Sequence, residues 1–331
     1  MRCLITGAAG FAGSHLAEYL VRQGQEVSVF VRPQDNLHNL GGLLPSIRIE
    51  RGDLLDADRV LDVLKSIKPQ RIYHLAALSS PQESFRDPKT TYDVNFTGTF
   101  NCLSAWRLLQ TDCKFLYVSS SAVYGEASGN DLPLREDAPF RPSSPYAGSK
   151  AAGELLVFQF FQGYGLPIIR VRPFNHTGPR QDPRFVCSGL ARQIAEIDLQ
   201  LRPPVVTAGN IEARRDFSDV RDVVRGYHML LESGRPGEVY QLCSGHQCSI
   251  RTILKILITL ASKPVSVESE ESLIRSHDSP ILWGDYSKAR KEVGWEPQYK
   301  LETTLTDLKS YWEYALRSLA QTVPRTGLRD G

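Results

Sequence analysis

The sequence lacks an excess of charge of one sign, a long apolar run and an apolar N-terminal leader. Its 331 residues carry 39 Lys and Arg against 37 Asp and Glu, a net charge of +2. Without a basic block, neither nucleic acid nor a membrane surface is an expected partner. No apolar run approaches the roughly 20 residues of a spanning helix, and "MRCLITG" has no signal-peptide pattern, so neither a span nor a leader is expected.

Closely spaced cysteine pairs are also missing. The six cysteines are scattered and form no C-x-x-C motif: Cys3, Cys102, Cys113, Cys187, Cys243 and Cys248. This usage is typical of reduced, partly buried thiols, so a cytoplasmic location is predicted. A structural zinc site is the alternative interpretation, and no metal is predicted.

Short apolar segments alternate with longer amphipathic ones through the first half of the chain, as in "RCLIT", "SHLAEYLVRQG" and "EVSVFV". Strands alternating with helices predict an α/β fold, a Rossmann-like doubly wound parallel sheet with a smaller C-terminal substrate-binding lobe. The domain boundaries follow from the same pattern. We expect a dinucleotide-binding domain over 1–174 with returning segments near 205–245, a mainly substrate-binding lobe over 175–321, and a loose tail over 322–331.

A glycine-rich turn lies between the first predicted strand and helix, in "LITGAAGFAGSHLAEYL". A tight turn followed by the unpaired N–H groups of a helix N-terminus suits a pyrophosphate. The spacing is G-x-x-G-x-x-G, and an ordinary βα turn is the alternative. The position at the start of a βαβ unit favours dinucleotide binding. The predicted cofactor contacts here are Gly7, Gly10, Phe11, Ala12 and Gly13.

The end of the second predicted strand, "VSVFVRPQD", bears on which dinucleotide binds. Arg32 stands at the strand end and Asp35 follows three residues later. An acidic residue at this place holds a ribose 2′-hydroxyl, whereas an arginine pairs with a 2′-phosphate. Arg32 therefore favours NADP, with NAD possible and a solvated arginine as the alternative.

A tyrosine and a lysine lie four residues apart in "SSPYAGSKAAGE", where Ser144 and Pro145 predict a helix start. Tyr146 and Lys150 then share one helix face. A phenol titrates near ~10, and a nearby ammonium is expected to lower that pKa, so the pair suits proton exchange with an alcohol or ketone oxygen. Three serines, at 119–121, follow the strand "FLYV" and offer a hydroxyl to the same oxygen.

In this order, "TGAAGFAG", "HLAA", "SSSAVYG", "SPYAGSK" and "RPFN" resemble the nucleotide-sugar branch of the extended short-chain dehydrogenase/reductase family. The resemblance extends through "DYSKARKEVGWEP". It implies Ser120, Tyr146 and Lys150 as the catalytic triad, with Tyr146 and Lys150 also contacting the cofactor. It further implies cofactor contacts from Asp53, Leu54, Leu75, Ala76 and Ala77.

The family includes 4,6-dehydratases, which carry an acidic residue two positions before the tyrosine of "VYG", often with another polar or acidic residue just ahead of it. Ser121 and Ala122 occupy the corresponding positions here, and a methyl group moves no proton, so dehydration is disfavoured. Glu126 lies in the wrong register. A nucleotide-sugar 4-epimerase needs no such acid but usually keeps NAD, which fits poorly with Arg32. A reductase that uses dissociable NAD(P)H fits both departures.

The second half is similar to GDP-4-keto-6-deoxy-D-mannose reductases, in "RPFNHTGP" and "GNIEARRDFSDVRDVV". The resemblance implies reduction at C4 of a GDP-linked sugar, giving GDP-D-rhamnose or a related GDP-6-deoxy sugar, whereas "GPRQDP" is typical of epimerases. It implies His176 near the nicotinamide, with a structural histidine as the alternative. It places a diphosphate-binding Arg215 in the second lobe. The predicted substrate contacts are Ser121, Asn175, Val186, Arg192, Arg215 and Arg275.

Two predicted helices, at about 92–110 and 145–165, carry apolar faces ("FNCLSAWRLL", "LLVFQFF"). Core packing is the commoner explanation of such a face. Relatives use these helices to dimerise as a four-helix bundle, so the resemblance implies a homodimer.

Overall fold

The computed structural model describes residues 1–127, 131–270 and 281–322, without the side chains of 321 and 322. The strands are β1 (Arg2–Thr6), β2 (Glu26–Val31), β3 (Ile47–Arg51), β4 (Arg71–His74), β5 (Lys114–Val118), β6 (Ile168–Pro173), β7 (Asn175–Thr177), β8 (Val205–Ala208), β9 (Arg214–Arg215), β10 (Phe217–Asp219), β11 (Val239–Leu242), β12 (Cys248–Ser249), β13 (Ser266–Ser269) and β14 (Ile281–Leu282).

The α-helices are α1 (Phe11–Arg22), α2 (Ala57–Ile67), α3 (Pro81–Arg86), α4 (Pro88–Tyr92), α5 (Gly98–Leu109), α6 (Pro145–Tyr164), α7 (Val186–Asp198), α8 (Val220–Ser233), α9 (Ile250–Thr259), α10 (Ser287–Val293) and α11 (Leu301–Thr322). Short 3-10 helices cover His38–Ser46 and Ser121–Tyr124, and a π-helical segment covers Asp93–Thr97. None of the helices in the described part of the chain combines the length and apolarity that crossing a membrane requires.

The chain divides into two compact units, and the described residues of the first are 1–127, 131–176, 214–247 and 281–298. Its centre is a seven-stranded parallel sheet in the order β11-β6-β5-β4-β1-β2-β3. The strand order reverses between β1 and β4, as in doubly wound folds. This architecture confirms the predicted Rossmann-like sheet.

Two apolar cores lie on opposite faces of this sheet. One packs α1 and α8 against the strands and includes Leu16, Leu20 and Trp295, all fully buried. The other packs α2, α5 and α6, with Trp106 stacked on Phe115 at a centroid distance of 5.7 Å. Because each helix contributes one apolar face, both faces of the sheet are covered, as a parallel sheet requires.

The described residues of the second unit are 177–213, 248–270 and 299–322. Helices α7, α9 and α11 pack on one another, and β8 pairs in parallel with β13. The Trp312 Nε1 donates a 3.0 Å hydrogen bond to Ser188 Oγ, joining α11 to α7. Lys309 Nζ lies 2.7 Å from both Asp198 and Glu313.

The boundaries of the units differ from the predicted domain boundaries in two places. Residues 205–213 lie in the second unit, because β8 pairs with β13 there. Residues 281–298 return to the first unit, where Trp295 is buried and its Nε1 donates to the Asp222 carbonyl at 2.9 Å. Most of the predicted tail, residues 323–331, lies outside the described residues.

Candidate active site

The turn between β1 and α1 has the shape of a phosphate-binding cradle. Gly7 has φ +73°, and a Cβ there would lie 2.7 Å from the backbone of Ala76. A Cβ on Gly13 would lie 2.3 Å from the Gly7 carbonyl oxygen. Gly10 is the N-cap residue of α1 and brings no side chain over its first turn, whose N–H groups lack partners within the helix. The turn therefore fits the pyrophosphate of a dinucleotide.

Ser120, Tyr146 and Lys150 come together at the end of β5 and the start of α6. As predicted, Ser144 caps α6 by accepting from Ala147 N at 3.1 Å, and Pro145 is its first residue. The Tyr146 hydroxyl is hydrogen-bonded to Ser120. Lys150 Nζ donates to the Val118 carbonyl at 2.7 Å, and both Tyr146 and Lys150 are buried. The triad that the sequence indicated is thus one cluster.

The protonation of this cluster differs from the expectation. Burial raises the pKa of Tyr146, and the hydrogen bond to Ser120 only partly opposes that rise. Burial lowers the pKa of Lys150 to about 7, and its Nζ donates to a neutral backbone carbonyl. The prediction that the tyrosine pKa is lowered is therefore wrong for this arrangement, because desolvation of the phenol outweighs its hydrogen bond to Ser120.

The π-helical segment Asp93–Thr97 supports the triad. The sequence predicted one continuous helix here, at about 92–110. Within this segment, Asn95 Nδ2 donates to Ser149 Oγ at 2.9 Å and to the Leu78 carbonyl at 3.1 Å. Its Oδ1 accepts from Leu78 N at 2.8 Å. Asn95 thereby joins the loop after β4 to the helix of Tyr146. An asparagine inside a helical pattern is the only signal for this role in the sequence.

A second buried chain of hydrogen bonds, which was also not predicted from the sequence, links the cofactor turn to α5. Thr6 Oγ1 lies 2.9 Å from His74 Nδ1, and His74 Nε2 lies 3.0 Å from Thr99 Oγ1. Thr6 Oγ1 also accepts from Ala76 N at 3.3 Å. Burial lowers the pKa of His74 to about 3, so this imidazole is neutral and acts as a structural link.

The other predicted cofactor contacts surround the same turn. Leu75 N donates to the Thr6 carbonyl at 3.3 Å, and Ala77 follows at the end of β4. Asp53 is exposed, with Oδ1 accepting from Leu55 N at 2.9 Å, whereas Leu54 is buried. These positions line the carboxyl ends of β1, β3 and β4, where doubly wound sheets bind ligands.

Arg32 lies at the end of β2 as predicted, but it is not an isolated cation. Its Nη2 is 2.8 Å from Asp35 Oδ1, and its backbone N–H donates to Asp35 Oδ2 at 3.0 Å. The two residues that the sequence offered for opposite cofactor preferences therefore form one ion pair.

His176 stacks on Phe11 at a centroid distance of 5.8 Å and an interplanar angle of 13°. Its Nδ1 donates to the Phe174 carbonyl at 3.0 Å, and burial lowers its pKa. Phe11 is the first residue of α1, so this imidazole stands beside the cofactor turn. The neighbouring Asn175 is exposed.

The position at which dehydratases carry an acid holds no carboxylate here. Ser121 and Ala122 begin the 3-10 helix after β5, and Ser121 is buried. Glu126 is exposed beyond the end of that helix. No group of three or more His, Cys, Asp or Glu that could hold a metal ion occurs in the described ranges.

The predicted substrate arginines belong to different parts of the chain's division into units. Arg215 lies on β9 in the first unit rather than in the second lobe, because β9 pairs with β14. It is buried, and its Nη1 donates to the Arg214 carbonyl at 2.7 Å. In the second unit, Val186 begins α7 with an exposed side chain, and Arg192 is paired with Glu196 at 2.8 Å. Arg275 lies outside the described residues.

Known proteins show the same combination of fold and motifs. A family model described as GDP-mannose 4,6 dehydratase matches residues 4–308. The GDP-6-deoxy-D-mannose reductase of Pseudomonas aeruginosa is 34% identical over 316 residues, which cover 96% of this chain and 98% of that protein.

Two solved structures have similar folds. RMD from Pseudomonas aeruginosa complexed with NADPH has a TM-score of 0.84 at 32% identity, covering 95% of this chain and 100% of that one. The UDP-glucose 4-epimerase of Thermus thermophilus complexed with NAD has a TM-score of 0.85 at 30% identity, with coverages of 95% and 100%. The predicted enzyme of the extended short-chain dehydrogenase/reductase type is confirmed, and the chain belongs to the GDP-mannose 4,6-dehydratase family.

Proposed function

We propose that this protein reduces the C4 keto group of a GDP-4-keto-6-deoxyhexose with NADPH, giving GDP-D-rhamnose or a related GDP-6-deoxy sugar. The observation that carries the proposal is the turn after β5. It presents the Ser120 hydroxyl to Tyr146 but only a hydroxyl and a methyl group, Ser121 and Ala122, where dehydration needs an acid. The similarity to a GDP-6-deoxy-D-mannose reductase supports the choice of substrate.

Each residue of the triad has a defined task in this reaction. When bound, the nicotinamide cofactor supplies the hydride that adds to C4. Tyr146 donates its hydroxyl proton to the oxygen at C4, and its raised pKa keeps that proton in place at neutral pH. Ser120, hydrogen-bonded to Tyr146, donates to the same oxygen as negative charge develops. Lys150 holds the nicotinamide ribose and, when charged, stabilises the phenolate that remains.

A nucleotide-sugar 4-epimerase is the second candidate. The similarity to the Thermus thermophilus epimerase and the "GPRQDP" segment of the chain favour it. The 34% identity to a GDP-6-deoxy-D-mannose reductase over 96% of this chain supports the reductase.

One assay separates these reactions. The purified enzyme is given GDP-4-keto-6-deoxymannose with NADPH, and the absorbance of the reduced cofactor is followed. Loss of NADPH equal to the sugar consumed is the expected result. Unchanged NADPH together with interconversion of UDP-glucose and UDP-galactose would establish the epimerase, and formation of a keto sugar from GDP-mannose would establish the dehydratase.

The nucleotide-sugar contacts belong to the same proposal. Asn175, Val186, Arg192 and Arg275, with Ser121 and Arg215, are the proposed substrate contacts. A guanidinium fork suits diphosphate oxygens, which supports Arg215 in particular. A cytoplasmic location is proposed as well, supported by six cysteines that form no disulfide.

The proposed assembly is a homodimer in which α5 and α6 of two copies form a four-helix bundle. Its support is the row of exposed apolar side chains on these helices: Phe100, Leu108, Leu155, Phe158 and Tyr164. Leu108 and Leu155 are 64% and 59% exposed, which is unusual for leucine on adjoining helices. Light scattering on the native chain should give twice the monomer mass, and Leu155→Glu should give the monomer. A monomeric native chain would refute the bundle.

A further inference from the structure

The carboxyl ends of β2 and β3 bring a second arginine beside Arg32. Val31 and Arg51 are directly paired in the parallel register of these strands. Gly52 N donates to the Val31 carbonyl at 3.0 Å, which keeps the two strand ends together. The 2′ position of the adenosine ribose is read at the end of the second strand in such sheets. Arg51 therefore stands at that place although it comes from the neighbouring strand.

The two arginines differ in how much of their charge is available. The Arg32 guanidinium lies against Asp35, whose Oδ1 accepts from Nε and pairs with Nη2. The negative charge of this carboxylate also repels an incoming phosphate. Arg51 Nη1 instead donates to the carbonyls of Arg32 and Pro33, at 3.2 and 2.8 Å. Carbonyl acceptors fix the guanidinium without neutralising it. Over the described residues, no carboxylate forms an ion pair with Arg51.

Neighbouring side chains hold Arg51 in this position. The acid nearest to it on β3, Glu50, is already paired with Arg48 at 2.6 Å and with Arg59 at 2.7 Å. Arg59 Nε also donates to the Arg51 carbonyl at 2.9 Å, which fixes the backbone at the strand end. The Arg51 guanidinium thus lies across the end of β2 without a carboxylate partner among the described residues, and the backbone of Arg51 is held in place.

We propose that Arg51 is the principal residue that recognises the 2′-phosphate of NADPH and so determines the preference for NADPH over NADH. Arg32 contributes less, because Asp35 offsets its charge. The inference rests on the proposed use of NADPH, and it concerns cofactor recognition rather than the sugar.

Cofactor binding without any sugar tests the assignment. Dissociation constants of NADPH and NADH are measured by fluorescence titration for the native chain and for Arg51→Gln, Arg32→Gln and Arg48→Gln. A charged hydrogen-bonded pair contributes enough to the binding free energy that Arg51→Gln should weaken NADPH binding about 10- to 100-fold. Binding of NADH should stay unchanged. Arg48→Gln removes an equal charge from the same strand and should change neither constant more than about twofold.

Adenosine 2′,5′-bisphosphate and AMP, titrated by calorimetry, repeat the comparison without the nicotinamide. The expected result is that Arg51→Gln weakens only the bisphosphate. Equal weakening of both ligands, or of both NADPH and NADH, would show a structural role and overturn the proposal. A larger loss from Arg32→Gln than from Arg51→Gln would also overturn it. If the native chain binds NADH as tightly as NADPH, the assignment fails, whereas a failure of sugar reduction alone leaves these constants unaffected.

Discussion

Ionisable groups around Tyr146, next to the end of β5, are buried and held largely by neutral partners. Those around Arg51, at the ends of β2 and β3, are exposed to solvent. Lys150 faces a backbone carbonyl and has a pKa of about 7. Arg32 and Arg48 are each about half exposed and paired with carboxylates. Burial magnifies the effect of each charge and hydrogen bond, while water screens the exposed ones. The proposed chemistry therefore lies where small changes have large effects, and the proposed cofactor discrimination where they have moderate ones.

The largest effect is expected from Tyr146→Phe. Without the hydroxyl, the forming alkoxide loses the group that transfers a proton to it and keeps only the hydrogen bond from Ser120, so kcat should fall about 100- to 10,000-fold. The NADPH dissociation constant should remain within about twofold, because the ring still fills its buried position. Stopped-flow turnover and fluorescence titration measure the two quantities. Full activity in this variant would remove Tyr146 from the proposed mechanism.

A buried ion pair should matter far more to stability than an exposed one. Glu154 of α6 accepts from Arg172 at 2.7 Å, and both side chains are almost fully buried. Glu154→Gln leaves the guanidinium without its counter-charge and should cost about 3 kcal/mol in the free energy of unfolding. Arg48→Gln, at the exposed end, should cost less than about 1 kcal/mol. Urea unfolding of both variants measures these losses, and equal losses of unfolding free energy would contradict the predicted difference between buried and exposed ion pairs.

Lys150 should give the stability of the protein a pH dependence. The folded state releases this proton near pH 7, whereas the unfolded chain retains it up to about the ordinary pKa of 10.5. The unfolded state therefore binds more protons between these values. Relative to Lys150→Met, the native chain should gain at most about 1.4 kcal/mol per pH unit above pH 7. Urea unfolding of both chains at pH 6.5, 7.5 and 8.5 tests this, and parallel stability curves would contradict it.

The smallest effect is expected at Asp35. Asp35→Asn removes the carboxylate that pairs with Arg32 and repels a phosphate. Since this site is solvated, NADPH should bind only about two- to fivefold more tightly. NADH, which loses an acceptor for its 2′-hydroxyl, should bind more weakly. Fluorescence titration gives both constants, and a shift in the opposite direction would show that Asp35 assists phosphate binding.

Local sequence patterns sufficed to predict the glycine turn and to place Tyr146 and Lys150 on one helix face. Gly7, Gly10 and Gly13 are consecutive in one loop, and Tyr146 and Lys150 lie one helical turn apart, so chain geometry brings each set together. Asn95 and His74 could not be recognised in this way. Their hydrogen bonds join residues far apart in the sequence, such as Asn95 to Ser149 and His74 to Thr6.

The sequence by itself determined the parallel α/β fold and predicted the phosphate turn and the proposed catalytic trio, because these depend on local periodicity and short spacings. Tertiary structure decided the direction of the Tyr146 pKa, the return of residues 281–298 to the first unit, and the pairing of Val31 with Arg51. Burial, strand register and long-range hydrogen bonds depend on the whole packed chain. For that reason the arginine proposed to recognise NADPH comes from β3, although the sequence pointed to β2.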